Sequence, residues 1–345
     1  MIPADLTEAV LAGETITSAD ALDVLALPDS QTLALVLDVS RIRRRHFQDR
    51  VKLNFLINVK SGLCPEDCHY CSQSSLSTAP IHRYAMLPTD TILEAAGIAK
   101  ATGAKRFCMV ASGRGPTARE LDRFTISVAA VRDRYPDLEI CACLGLLRDG
   151  QADRLRESGV YAYNHNLNTS SDNYGEICST HTFGDRVDTV KRATGAGLSA
   201  CSGALFGMGE TDEQIVAVGL ALRELKPDSV PINFLVSIDG TPLQGENQLT
   251  PHRCLRILAL YRLLFPDVEI RIGAGRETHL RSLQSLGLLL ANSIFVGDYL
   301  TTKGQAAQAD LDMIADLGLR VEGADETTLP KHRNLEVTLK TGVLS

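Results

Sequence analysis

The sequence predicts an α/β fold, a (β/α)8 TIM-type barrel with an N-terminal helical extension. Three observations carry that reading. Eight β-rich runs recur from residue 50 onward, segments of helical length separate them, and a dense cysteine run directly follows the first, in the βα loop where a barrel holds its chemistry. A doubly wound open sheet shows the same alternation and is the competing architecture. On the barrel reading, residues 1–48 are helices packed outside, 49–319 form the barrel and 320–345 are a C-terminal tail.

The β-rich runs lie at 53–59, 106–111, 138–144, 160–164, 198–205, 229–236, 268–274 and 293–296. Helices fit between them at 90–102, 117–134, 149–158, 185–195, 279–289 and 305–317. Thr211, Asp212, Glu213 and Gln214 read as a capping box, with Ile215, Val218, Leu222 and Leu225 at helical spacing behind it. Thr250 followed by Pro251 reads as an N-cap and a first helical residue. A strand-like stretch at 335–339 has no evident place in the barrel.

At 345 residues with 44% hydrophobic content, the chain can bury a sizeable core. The formal charge of −7 argues against a nucleic-acid partner. One basic run, Arg41 to His46, reads as the solvated face of an N-terminal helix. No apolar stretch approaches the ~20 residues of a membrane span. No secretory leader is visible either, so nine cysteines point to a reducing, cytoplasmic setting and to metal or redox chemistry rather than disulfides.

The cysteine run is Cys64-Pro65-Glu66-Asp67-Cys68-His69-Tyr70-Cys71. Three thiolates at this spacing can hold three irons of a [4Fe–4S] cubane and leave the fourth iron open to a small molecule. The alternative is zinc, with His69 or a distant cysteine as fourth ligand. A second set lies inside the β-rich runs: Cys108 in the second, Cys141 in the third, Cys201 in the fifth and Arg271 in the seventh. Barrel strands send side chains into common interior layers, so these four can converge on a smaller [2Fe–2S] cluster. Taken singly, each cysteine reads as inert core. Arg271 alone reads as a bridge to Glu269 or Asp239, or as a site for an anionic substrate group. Cys143 shares the face of Cys141 and is a fallback ligand, while Cys178 and Cys254 are expected to carry no chemistry.

The C-x3-C-x2-C run resembles the signature of the radical S-adenosylmethionine (SAM) enzymes. The wider pattern resembles the biotin synthase family over about residues 40–320. It is carried by Cys64 to Gln73, Arg106 to Met109, Tyr163 to Leu167, Val230 to Asn233, Arg271 to Glu277, Ala291 to Gly297 and Leu300 to Thr302. The resemblance implies a SAM-dependent barrel, a homodimer, and insertion of sulfur into dethiobiotin by radical chemistry. It implies that Cys64, Cys68 and Cys71 hold the [4Fe–4S] cluster. Cys108, Cys141 and Cys201 would hold the [2Fe–2S] cluster that donates sulfur, with Arg271 as its unusual fourth ligand.

The same resemblance gives roles to polar residues. Asn166 and Asn233 would bind the ureido ring of dethiobiotin, and Thr301 and Thr302 its carboxylate tail. Arg186 would pair with the SAM carboxylate and Tyr70 would sit near the adenine. The glycines of Gly207-Met208-Gly209-Glu210 would let backbone approach the cofactor. Asn168 departs from the aspartate of some family members, keeping a carbonyl acceptor but losing the charge. Flavodoxin or ferredoxin is the implied electron donor. Two rivals remain. One is another radical SAM barrel, such as a hydrogenase maturase or an amino-acid mutase, which would lack the second set. The other is a zinc-stabilised binding protein.

Overall fold

The computed structural model describes residues 3–246 and 248–323. The strand-like stretch at 335–339 lies outside them. Among the described residues there are ten strands: β1 (Arg50–Lys60), β2 (Arg106–Ala111), β3 (Glu139–Cys143), β4 (Ala162–Asn164), β5 (Ser199–Cys201), β6 (Ala204–Phe206), β7 (Ser229–Phe234), β8 (Glu269–Ile272), β9 (Ser293–Phe295) and β10 (Arg320–Val321). Every strand pairing is parallel, and β1 pairs with both β2 and β9, through Lys52↔Ser293 and Leu53↔Ile294 in the second case. The sheet therefore closes on itself, and the open-sheet alternative falls. The two-residue β10 lies outside the ring, extending β1 at Arg50↔Arg320 and Val51↔Val321.

The expected run at 198–205 is not one strand. It is β5 and β6, interrupted at Ser202 and Gly203. A Cβ on Gly203 would lie 1.8 Å from the Pro231 carbonyl oxygen, so only glycine lets the two backbones pass. The Gly203 amide finds its acceptor in the Asn166 side chain, at 3.1 Å. The ladder is broken there, and a site residue fills the gap.

The period of two sorts the barrel's side chains. Phe55, Ile57, Phe107, Met109, Ile140 and Ala142 point outward into the main core beneath the helices. Leu56, Cys108, Cys141 and Ala162 point inward as a separate cluster. One register row, Leu56↔Cys108↔Cys141↔Ala162, runs around the inner wall.

Three helices precede the barrel, α1 (Pro3–Leu11), α2 (Ser18–Ala26) and α3 (Asp29–Phe47). The barrel's own are α4 (Thr89–Ala101), α5 (Ala118–Arg134), α6 (Gln151–Ser158), α7 (Tyr174–Ile177), α8 (Phe183–Gly195), α9 (Asp212–Leu225), α10 (Pro251–Leu264), α11 (Arg276–Leu280), α12 (Gln284–Gly287) and α13 (Ala307–Asp316). The Thr211 capping box and the Thr250 cap both form. The single helix expected at 279–289 is instead α11, a 3₁₀ turn (Arg281–Leu283) and α12, because Arg281 adopts φ +51° and ends α11.

The N-terminal helices explain why α10 is apolar on every side. Its inner face covers the barrel while α2 and α3 cover its outer face, so every residue from Cys254 to Leu264 is buried. Cys254 is core, as expected. The basic run is mostly solvated, with one exception: Arg43 is buried and donates to the carbonyls of Gln48 and Arg50, tying the end of α3 to the start of β1. No helix among the described residues is long and apolar enough to cross a membrane.

Candidate active site

A cavity of about 380 Å³ opens at the C-terminal ends of the strands. Its wall includes Cys64, Cys68, Cys71, Cys108, Asn166 and Arg271. Tyr70, Asn168, Arg186, Asn233, Thr301 and Thr302 also line it, so the first cysteine set, Cys108, Arg271 and the residues expected to contact SAM and dethiobiotin share one wall.

Cys141 and Cys201 lie deeper. Cys108 and Cys141 are register partners on β2 and β3, and Cys141 contacts both Cys108 and Cys201. Arg271 Nη1 lies 3.5 Å from the Cys201 sulfur. All four residues are at most 4% exposed. Contact with Cys108, together with burial, pushes the Cys141 thiol well above its ordinary range. Contact with Cys141 and burial do the same to Cys201, although Arg271 opposes them. Cys143 sits two residues beyond Cys141 on the cavity wall, its thiol pushed up to about 12 by burial.

Arg271 does bridge to Glu269. It also bonds Ser293 Oγ at 3.4 Å and stacks over Phe295, 5.3 Å from the ring centroid. Asp239 is not among its partners. Beneath the thiols, Glu139 pairs with Lys52 at 2.6 Å and Arg106 at 2.9 Å, and Glu269 lies 3.6 and 3.5 Å from the same two cations. Lys52, Arg106 and Arg271 against Glu139 and Glu269 give 3 − 2 = +1. Burial pulls the Arg271 guanidinium down, but Glu269 and Cys201 outweigh it and hold the proton firmly. The surplus favours an anionic group at the three thiols. A [2Fe–2S] core bound by three thiolates is such a group, so the donor set and its charge fit.

The first cysteine set lies in the loop after β1. Burial raises the thiol pKa of Cys64, and pushes that of Cys71 up to about 11. Its three thiols on one wall suit a cluster with an open iron. Cys68 has a neighbour that sequence reasoning set aside: its sulfur lies 3.8 Å from that of Cys178. Cys178 in turn lies 3.3 Å from His181 Nδ1 and 3.1 Å from Asp67 Oδ1. Their mutual contact raises Cys68 and lowers Cys178. His69 takes no part in this group; its backbone amide donates to Ile177 O. Glu66 pairs with His181 Nδ1 and accepts from Thr180 Oγ1 at 2.8 Å. Asp67 accepts from the amides of Ser179 and Thr180 at 3.0 and 3.2 Å, pinning segment 178–180 against the cysteine loop.

The polar residues are already at work in the scaffold. Arg186 donates to Asn166 O at 2.8 Å and to Tyr174 Oη, and its Nη2 lies 2.9 Å from His181 Nε2. Asn168 adopts φ +69°, a left-handed conformation that asparagine tolerates, and donates to Tyr70 Oη at 2.5 Å. That leaves its carbonyl oxygen for an acceptor role. Asn166 Oδ1 accepts from Asn164 Nδ2 and the Gly203 amide, both at 3.1 Å. Asn233 accepts from the Ala274 amide at 3.0 Å and donates to Ala204 O at 3.2 Å. Thr301 bonds Ser72 at 2.7 Å, and the Thr302 carbonyl accepts from the Tyr299 amide at 2.9 Å. In the Gly207 turn, Glu210 itself takes the amides of Gly207 and Met208, at 2.7 and 2.8 Å.

Sequence reasoning missed His165, His181, Tyr174 and Glu66. His165 lines the cavity with a buried Nε2 that has no partner among the described residues. The available signal for His181 was its place just before Thr182, which opens a capping box with Asp185.

The radical SAM superfamily profile matches residues 58–219, and the biotin and thiamin synthesis associated domain matches 231–320. The biotin synthase of Streptomyces avermitilis is 59% identical over 95% of this chain and 84% of its own. That of Bacillus licheniformis is 51% identical over 93% of this chain and 96% of its own. Among solved structures, methylornithine synthase covers 92% of this chain and 97% of its own, with a TM-score of 0.81 at 21% identity, a likeness of fold.

Proposed function

We infer the division of labour in this barrel from one premise: the chain belongs to the biotin synthase family. It is a radical SAM enzyme that inserts sulfur into dethiobiotin to form biotin. The saturated carbons of dethiobiotin carry no acidic protons, so a general base cannot begin the reaction. When bound, the [4Fe–4S] cluster supplies the electron that opens SAM to a carbon radical, and the [2Fe–2S] cluster supplies the sulfur.

Cys64, Cys68 and Cys71 hold the first cluster at the cavity wall. Cys108, Cys141 and Cys201 hold the second deeper in the barrel, with Arg271 as fourth ligand. The observation that supports this most directly is the convergence of Cys108, Cys141, Cys201 and Arg271 over an ion network of net positive charge. Arg186 presents its guanidinium to the SAM carboxylate, held in aim by Tyr174 and the Asn166 carbonyl. Tyr70 flanks the adenine, and Asn168 accepts from the ribose through its carbonyl. Asn166 has its acceptor committed to the scaffold, so it turns amide N–H donors toward the ureido carbonyl of dethiobiotin. Asn233 contributes its second N–H to the same ring. Thr301 and Thr302 hold the carboxylate tail.

The chain works as a homodimer in the cytoplasm, with flavodoxin or ferredoxin as electron donor. In the N-terminal extension, α2 and α3 close the outside of α10. The deciding experiment counts iron, zinc and acid-labile sulfide on protein reconstituted without oxygen. About six irons per chain, four plus two, with matching sulfide are expected. About four would make Cys108, Cys141 and Cys201 ordinary core and end the sulfur-donor reading.

A further inference from the structure

The contact between Cys68 and Cys178 has the dimensions of a mononuclear metal site. A tetrahedral ion about 2.3 Å from each thiolate separates two sulfurs by about 3.8 Å. The observed separation is 3.8 Å. Thiolates on different corners of a cubane lie farther apart, so this pair does not match one cluster's ligands. A third donor is in range, since His181 Nδ1 lies 3.3 Å from the Cys178 sulfur and the ligand atoms of all three residues lie within 4.8 Å of one another. All three residues are buried. Asp67 Oδ1 lies 3.1 Å from the Cys178 sulfur but is taken by the amides of Ser179 and Thr180, so the fourth position falls to a water. His181 Nδ1 is paired with Glu66, so a metal would take that nitrogen in place of the carboxylate, and Nε2, now 2.8 Å from Tyr174 Oη and 2.9 Å from Arg186 Nη2, would turn donor to the tyrosine.

We propose that, when its [4Fe–4S] cluster is absent, the chain binds one zinc ion through Cys68, Cys178 and His181, with a water closing the shell. This ion and the cluster exclude one another, because each requires Cys68. The exclusion rests on the reading of Cys68 as a cluster ligand; the zinc site itself does not. Binding takes both sulfurs as thiolates, releasing the protons they hold, and involves no electron transfer. Cys178 then acts as a partner that captures a cluster ligand in zinc-rich, iron-poor conditions.

The test uses full-length chain freed of iron without oxygen, titrated with zinc against a chromophoric chelator and with cobalt as a spectroscopic probe. Wild-type chain is expected to give the intense visible bands of tetrahedral cobalt–thiolate. Cys178→Ser should weaken Cys178-dependent zinc binding on the order of 100-fold, the upper end of what even a lost supporting contact costs. Cys64→Ala should leave that binding intact. Zinc on the interior thiols is unaffected by Cys178→Ser, so the difference between wild type and this variant isolates the site. Cluster loading should show the reverse pattern, unchanged in Cys178→Ser and lost in Cys64→Ala. One zinc per chain, added first, should suppress loading in wild type and not in Cys178→Ser. Equal zinc affinity in wild type and Cys178→Ser overturns the site. Full cluster loading of Cys68→Ala would instead overturn the reading of Cys68 and with it the exclusion, leaving the zinc result to stand alone.

Discussion

Cys64, Cys68 and Cys71 sit within eight residues of one loop, whereas Cys108, Cys141 and Cys201 come from three separate strands. The first set is visible as a string of letters, and its loop is held by Glu66 and Asp67 against residues 179–181. Its members line an open cavity, and one of them already contacts a cysteine 110 residues away. The second set is invisible as a string and firmly held. Barrel register makes Cys108 face Cys141, and alternation points both inward, away from the helices. Short spacing thus specifies chemistry with little geometry, while topology specifies geometry from residues that look like core.

The comparison breaks most sharply on substitution. Cys64→Ala should abolish SAM cleavage altogether, measured as 5′-deoxyadenosine formed under reduction. Cys141→Ala should leave SAM cleavage at least partly intact while ending biotin formation, and should lower iron from about six to about four per chain. Biotin formation at the wild-type rate in Cys141→Ala would show that the interior set is core and that the two sets do not differ in function.

A smaller effect separates the sets by stability. Glu269, its side chain 11% exposed, lies among Arg271, Arg106 and Lys52. Burial raises its carboxyl pKa, but these three cations outweigh that and hold it well below the usual carboxylate range. Glu269→Gln changes the local sum from 3 − 2 = +1 to 3 − 1 = +2. Breaking a buried pair in this way costs on the order of 3 kcal/mol. Denaturant unfolding of the cluster-free chain should show that loss. Chain carrying the interior cluster should lose less, since the anionic core offsets part of the excess. An equal loss with and without the cluster would mean that the network serves the barrel alone.

The barrel was legible in the sequence because β-rich runs alternated with segments of helical length and the caps at Thr211 and Thr250 were local signals. The break between β5 and β6 was not, since it depends on Pro231 passing close to Gly203, a contact between strands. The two cysteine sets could be picked out through spacing and resemblance. The pairing of Cys178, His181, Glu66 and Asp67 was not, because it joins two loops that no local rule brings together. Asn166 and Asn233 could be singled out, but their scaffold bonds, which leave each with only part of its hydrogen-bonding capacity for a ligand, appear only in three dimensions.

The mildest effect lies between the two sets, at His165 in the segment after β4. Its backbone amide donates to Cys201 O at 2.9 Å, and its ring faces the cavity. Burial, and then the charges of Arg186 and His181, hold its pKa well below the ordinary 6.5. The unfolded chain therefore takes up a proton near pH 6.5 that the folded chain refuses. The stability that follows is present above the unfolded value and is lost as pH falls toward the folded one, by at most about 1.4 kcal/mol per pH unit. Unfolding free energy measured from pH 7.5 down to 5.5 should decline, and His165→Asn should flatten the decline. A slope unchanged by His165→Asn would move the titrating group elsewhere, and would mean that the segment joining the two sets tolerates charge.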